Sequence, residues 1–350
     1  AMAAPAAVWL AFGFSPEEAA GEPGPGPGPW RLDAGPEGIS RVWPAWSYVV
    51  VETGAGLEVR SAGLRRRLPG WAEALPSETH LVLRGAAAAG AWRRAAALSG
   101  APRDERAWSR ALPPQPRQPL PLLPGGFATP RPPFFTALPA GLRARRLVLG
   151  TEHALALGAA GEVFTWGGGR HGQLGHGLLE SELQPRLVEA LAGVPMRAVA
   201  AGGWHSASVS EAGDLYVWGW NESGQLALPS KALAEERARD DAGAGECCSP
   251  GRGQAAEEAA FISIQAFPAL LDLPQDLEVS AVSCGSRHTA VVTRGGELYT
   301  WGWGKYGQLG HGNNVSSDQA RRVEHLVAKG LRVEEVVCGP WTTYVRVQEP

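Results

Sequence analysis

In its clearest stretches the chain alternates apolar and polar residues with a period of two. Glu297-Leu298-Tyr299-Thr300-Trp301 is one such stretch, rich in aromatic and β-branched side chains, and it predicts a half-buried strand. The alternation recurs with its surroundings intact. "GEVFTWGGGRHGQLGHG" (161–177), "GDLYVWGWNESGQLAL" (213–228) and "GELYTWGWGKYGQLGHG" (296–312) are one phrase written three times, and "LGTEHALAL", "AGGWHSASVS" and "CGSRHTAVVT" stand upstream of them. Trp166 and Trp218 lie 52 residues apart, and Trp218 and Trp301 lie 83 apart, the same spacing plus an insert of 31. Each unit reads as an outer strand, an inner strand ending in Gly, a turn, a strand, a two-residue turn and a last strand. Four strands in a period of about 50 residues point to a β-propeller.

The secure units span 128–177, 183–228 and 266–312. A further copy runs over 39–64, with Tyr48 where the others carry His153, His205 and His288, and a degenerate one over 78–97. At the C-terminal end, 319–347 supplies only the first half of a unit. The missing half stands at the other end of the chain, where "VWLAFGF" (8–14) aligns with "ELYTWGW" (297–303) and puts Phe12 and Phe14 where Trp301 and Trp303 sit. The expectation is an all-β chain, one propeller over 1–350 with five to seven four-stranded blades, closed by N-terminal strands that complete the C-terminal blade. Closure removes the free edges that template aggregation.

The repeat disposes of an apparent cofactor loop. Gly302, Gly304 and Gly307 satisfy G-x-G-x-x-G, but so do Gly167, Gly169 and Gly172, and neither match opens an amphipathic helix as a dinucleotide site requires. The glycines are expected instead where strands crowd toward a central axis.

Composition agrees with many turns and short strands. The chain has 46 Gly and 29 Pro in 350 residues, above the usual 7% and 5% or so, and 14 Trp. A net charge of −3 argues against a generally basic nucleic-acid binder. Cys247, Cys248, Cys284 and Cys338 have neither metal-ligand nor disulfide-framework spacing, which suits a reducing compartment. No apolar run approaches the ~18 residues of a membrane span. The segment 229–262 has many charges and few large apolar residues, and is expected to be a disordered acidic surface insert.

The words "HTAVVTRGGELYTWGWGKYGQLGHG" resemble the regulator-of-chromosome-condensation repeat family, strongly over 146–226 and 266–347 and fairly over 39–64. The resemblance implies a chromatin-associated, non-catalytic propeller of the nucleus and chromosomes, partly cytoplasmic. It also implies work with a jumonji-C, iron- and 2-oxoglutarate-dependent oxygenase in histone methylation control, transcriptional repression and chromosome segregation, with histones or chromatin as further contacts. The alternative within the family is guanine-nucleotide exchange on a small GTPase. A sugar-binding or hydrolytic propeller would want repeated polar pockets, which the repeats do not show.

No constellation for acid–base, nucleophilic or metal chemistry is legible, so the expectation is no catalytic residue, no metal and no cofactor. His153, His205 and His288 share one repeat position with Tyr48 and Thr342, which suits a structural hydrogen bond to a neighbouring backbone group. Partner-binding candidates are the residues that vary where the framework repeats. They are Arg170, Asn221, Lys305 and Tyr306 at the blade tips, and Trp204, Arg287 and Trp341 in the preceding turns. The Pro-rich stretch 113–133, followed by Phe134 and Phe135, favours an extended conformation suited to a partner's groove. There Arg131 stands as a charged tip beside aromatic anchors, and the plainer reading is an inter-blade linker.

Overall fold

The structure, a computed structural model, describes residues 7–26, 28–114, 118–243 and 260–350. Its sheets form seven antiparallel blades. Blade 1 runs from Ile39 to Leu68, blade 2 from Glu73 to Ala111 and blade 3 from Leu122 to Ala137. Blade 4 runs from Ala144 to Leu187, blade 5 from Met196 to Leu271 and blade 6 from Val279 to Arg322. Blade 7 joins Arg332–Cys338 and Thr342–Gln348 to the N-terminal strands Ala7–Gly13 and Trp30–Arg31.

The closure follows the register that the sequence suggests. Ala7–Gly13 pairs along its whole length with Thr342–Gln348, from Ala7 opposite Gln348 to Gly13 opposite Thr342. Val8 and Phe12 then enter the core shared with blade 6, beside Leu298, Val345 and Val347. The backbone N–H of Phe14 donates to the Trp341 carbonyl at 3.0 Å, as that of Trp303 donates to the Arg287 carbonyl at 2.9 Å, so Phe14 occupies the Trp303 position.

Several boundaries differ from the sequence reading. The strand placed at the start of each unit is the outermost strand of the blade before: Glu182–Leu187 pairs with Val163–Gly167, and Ile264–Leu271 with Leu215–Trp220. Polar-out edge strands look alike at either end of a unit, so alternation alone cannot phase the repeat. The unit at 128–177 divides between blades 3 and 4, and blade 3 has three short strands among the described residues. The degenerate copy at 78–97 lies within a complete four-stranded blade 2.

The insert is not wholly disordered. Lys231–Gly243 is a helix whose Leu233 is buried, held by Arg237 against Asp318 at 3.1 Å and by Glu236 against Lys305. Residues 244–259 of the insert, with Cys247 and Cys248, lie outside the described residues.

Of the glycines in the G-x-G-x-x-G stretches, only Gly167 lines the axial opening. Gly302 has φ +108°, and a Cβ there would stand 2.5 Å from the Arg287 carbonyl of the adjacent strand in its own blade. The hub glycines are Gly150, Gly202, Gly285 and Gly339, which end the innermost strands; a Cβ on Gly285 would meet the His288 ring and the Gly339 carbonyl.

Replacing Val8 with Lys would bury a charge in the closing blade. Chemical denaturation is expected to show a loss of at least ~3 kcal/mol, and sedimentation to show aggregates from the uncovered Thr342–Gln348 edge. An unchanged midpoint would show that the ring does not depend on this strand.

Candidate functional site

A relay of side chains joins blade to blade. His205 Nε2 lies 2.9 Å from Thr289 Oγ1 of the next blade, and Thr289 Oγ1 donates at 2.6 Å to the carbonyl of Gln225, back in the blade of His205. The hydroxyl has one proton and gives it to the carbonyl, so the neutral imidazole donates from Nε2. His153, Ser206 and Gln173 repeat the arrangement, as do His288, Thr343 and Gln308. The carbonyls of Gln173 and Gln225 also accept from Trp218 Nε1 and Trp301 Nε1, each at 2.9 Å. The partner of each His is thus a hydroxyl, where the sequence suggested a backbone group. At the seam from blade 1 to blade 2, Tyr48 fills the His position and its hydroxyl donates to the Ser77 carbonyl at 2.7 Å.

Above this buried relay, one face of the ring carries the variable residues. The first ring of each W-G-W or F-G-F triplet (Trp218, Trp301, Phe12) is buried, whereas the second (Trp220, Trp303, Phe14) lies on this face. Each second ring meets a turn residue of the following blade. Arg287 stacks over Trp220 at 5.0 Å, Trp341 packs edge-on to Trp303 at 5.0 Å, and Trp46 stacks on Phe14 at 6.0 Å. Tip residues fill between them: Tyr306 lies 4.7 Å from Phe14 and 4.8 Å from Trp303, and His171 lies 5.5 Å from Trp220 and 6.0 Å from Trp204. The result is a ladder in two sections, His171 to Arg287 over blades 4 to 6 and Trp303 to Trp46 over blades 6 to 1, which adjoin in blade 6 where the Trp303 N–H donates to the Arg287 carbonyl. Trp46 and Tyr306 are each 41% exposed. Trp204 Nε1 is buried without an oxygen acceptor, and its ring stands edge-on to Trp220 at 5.5 Å, a geometry in which N–H meets a π-face.

Of the sequence candidates, Trp204, Arg287, Trp341 and Tyr306 belong to this ladder. Arg170 and Lys305 flank it, exposed and paired with Glu152 and Glu236. Asn221 does not face a partner: it is 0% exposed, and its amide donates to the Leu228 and Ile262 carbonyls, clamping the base of the insert. Phe134 is a core residue, 6% exposed and edge-on to His80 at 5.0 Å, while Phe135 lies half-buried under Arg110. The Pro-rich stretch is therefore not a free extended arm. It supplies the strands Leu122–Leu123 and Gly126–Ala128 of blade 3, and the turn Thr129–Phe134 holds Arg131 at the axial opening, where it donates to the Thr151 carbonyl at 2.9 Å. Trp220, Trp303, Phe14 and Trp46 were missed as surface residues; the doubled aromatic in W-G-W and F-G-F was the available signal.

Comparison with known proteins agrees with this architecture. The model of the regulator of chromosome condensation (RCC1) repeat matches residues 160–209, 212–292 and 295–345. Human RCC1 domain-containing protein 1 is 49% identical over 98% of this chain and 97% of its own length. The chain belongs to the RCC1 repeat family. The mouse RCC1 domain-containing protein 1 is 47% identical over 89% of this chain and 88% of its own length. Among solved structures, Prp20p from Saccharomyces cerevisiae superposes with a TM-score of 0.72, covering 99% of this chain and 92% of that one at 15% identity, which shows a shared fold. The seven blades of this RCC1-repeat chain stand at the upper end of the five to seven legible in its sequence.

Burial holds the relay histidines neutral, pushing His153 down to about 4 and His205 and His288 to about 3. The unfolded histidine takes its proton near 6.5. Their contribution to stability is therefore complete above about pH 6.5 and lost as the pH falls through that value toward the folded values, by about 1.4 kcal/mol per histidine per pH unit. Denaturation midpoints should fall between pH 7.5 and 5, and His288→Asn should flatten that fall. Midpoints that stay level in the native protein would contradict the neutral relay.

Proposed function

We propose that this RCC1-repeat chain is a non-catalytic interaction propeller of the nucleus and chromosomes, docking through its aromatic ladder onto a chromatin-modifying protein. The partner class is a jumonji-C, iron- and 2-oxoglutarate-dependent oxygenase. The setting is histone methylation control, with transcriptional repression and chromosome segregation downstream and histones as further contacts. One observation carries the reading: tryptophan, tyrosine and arginine, the residue types that dominate interface energies, cluster on one face of four consecutive blades, 5, 6, 7 and 1. The setting draws support from the family, in which the yeast Prp20p structure is described with its binding to Gsp1p and histones. Phe134 ties the Pro-rich stretch into blade 3, which favours docking through the ladder over docking through that stretch.

Affinity purification from nuclear extract tests partner and surface together. The native chain is expected to recover a jumonji-C oxygenase, and the double variant Tyr306→Ala, Trp341→Ala to lose it by roughly 30-fold, the ratio for a hot spot of about 2 kcal/mol. Recovery unchanged by the double variant would remove the ladder from the interface. Accelerated nucleotide release from a small GTPase would instead assign exchange activity.

A further inference from the structure

The seam between blades 3 and 4 departs from the pattern of the blades that follow. In blades 5 and 6 the residue after the relay His carries a hydroxyl and pairs across its sheet with the buried Trp: Ser206 with Trp218, Thr289 with Trp301. In blade 4 the matching pair is Ala154 and Trp166. Ala154 has no hydroxyl to receive or pass a proton. Trp166 Nε1 has no acceptor among the described residues, because the shortened blade 3 offers no Gln carbonyl in that place. Trp166 is nevertheless only 8% exposed.

The axial opening borders this seam, and its wall along blades 2 to 4 forms a bay. The opening has a volume of about 680 Å³, and Leu75, Phe127, Leu149, Ala154 and Trp166 wall it on this side. That is the size range of a ligand site with apolar walls and a few directed polar groups. At the rim, Arg131 gives one N–H to the Thr151 carbonyl and meets no carboxylate among the described residues. The two acids of the same rim are neutralised, Glu78 by Arg94 at 3.3 Å and Glu152 by Arg170 at 3.2 Å. The bay thus presents an apolar wall, an indole donor without a partner and one uncompensated cation at the mouth.

We propose that this bay is a peptide-binding site for an extended segment of another protein in which a bulky apolar side chain stands beside an acidic residue. The apolar group fills the space between Leu75 and Trp166, a backbone carbonyl accepts from Trp166 Nε1, and the carboxylate pairs with Arg131. A short linear segment suits the space because an opening of about 680 Å³ admits a few side chains and not a folded domain. Trp46 of the aromatic ladder lines the same opening, but Ala154 and Arg131 lie outside the ladder, so variants there test this site without altering the docking surface proposed above.

The test uses a random 12-residue peptide library displayed on phage and selected on the full chain. Clones are expected that carry Asp or Glu next to a large apolar residue, and that lose at least tenfold in affinity both to Ala154→Leu, which fills the bay, and to Arg131→Glu, which reverses the rim charge. Ala154→Leu is first checked for an unchanged unfolding midpoint, and Arg131 is exposed, so its variant keeps the readout valid if Ala154→Leu fails to fold. Trp166 indole fluorescence should shift on binding. An empty selection, clones that bind both variants as well as the native chain, or clones rich in Lys and Arg would each overturn the proposal.

Discussion

From blade 4 to blade 7 the fold depends on a hydrogen-bonded handover from blade to blade. A buried neutral imidazole donates to a hydroxyl of the next blade, and that hydroxyl donates back to a Gln carbonyl of the first. His205, Thr289 and Gln225 are all shut off from water, so a missing member would leave an uncompensated polar group in the core. The handover also explains why His, Gln, Trp and Gly recur together in the repeat. The Gln supplies its backbone carbonyl, the Trp a second donor to it, and the hub Gly leaves room for the imidazole.

Two of the departures from this scheme have consequences of their own. Where the ends of the chain meet, Thr342 replaces His and its hydroxyl donates to the Phe14 carbonyl, so the bond serves closure of blade 7 instead of passing to blade 1. Trp9 crosses that seam, with Nε1 donating to the Ile39 carbonyl at 3.1 Å. Where blade 3 is shortened the relay stops, and the core opens into the axial bay. The relay thus spans the three seams from blade 4 to blade 7, and the other seams are held by different contacts, such as the Tyr48 hydroxyl on the Ser77 carbonyl.

The propeller and its closure were legible because they rest on local, repeated features: the period-two alternation, the fixed Trp spacing, and the match of "VWLAFGF" to a half-unit. The phase of the repeat and the identity of blade 3 were not legible. Edge strands lack a distinctive pattern, and a prolyl-rich stretch with Phe134 reads equally as a linker or as a strand pair until its burial is known. Among the site residues, turn positions such as Trp204, Arg287 and Trp341 could be found because they vary within a constant frame. Asn221 misled for the same reason: it varies at a tip, yet its side chain satisfies the carbonyls at the base of the insert that only this blade possesses.

The coupling between His205 and Thr289 bears the most weight. A double-mutant cycle of His205→Phe and Thr289→Val, followed by denaturant unfolding at pH 7.5, measures that coupling directly. A relay predicts an interaction energy of about 1–3 kcal/mol between the two sites, since either single change already breaks the chain of bonds. Changes that simply add would mean that the blades are held by packing alone, and would contradict a central role for the handover.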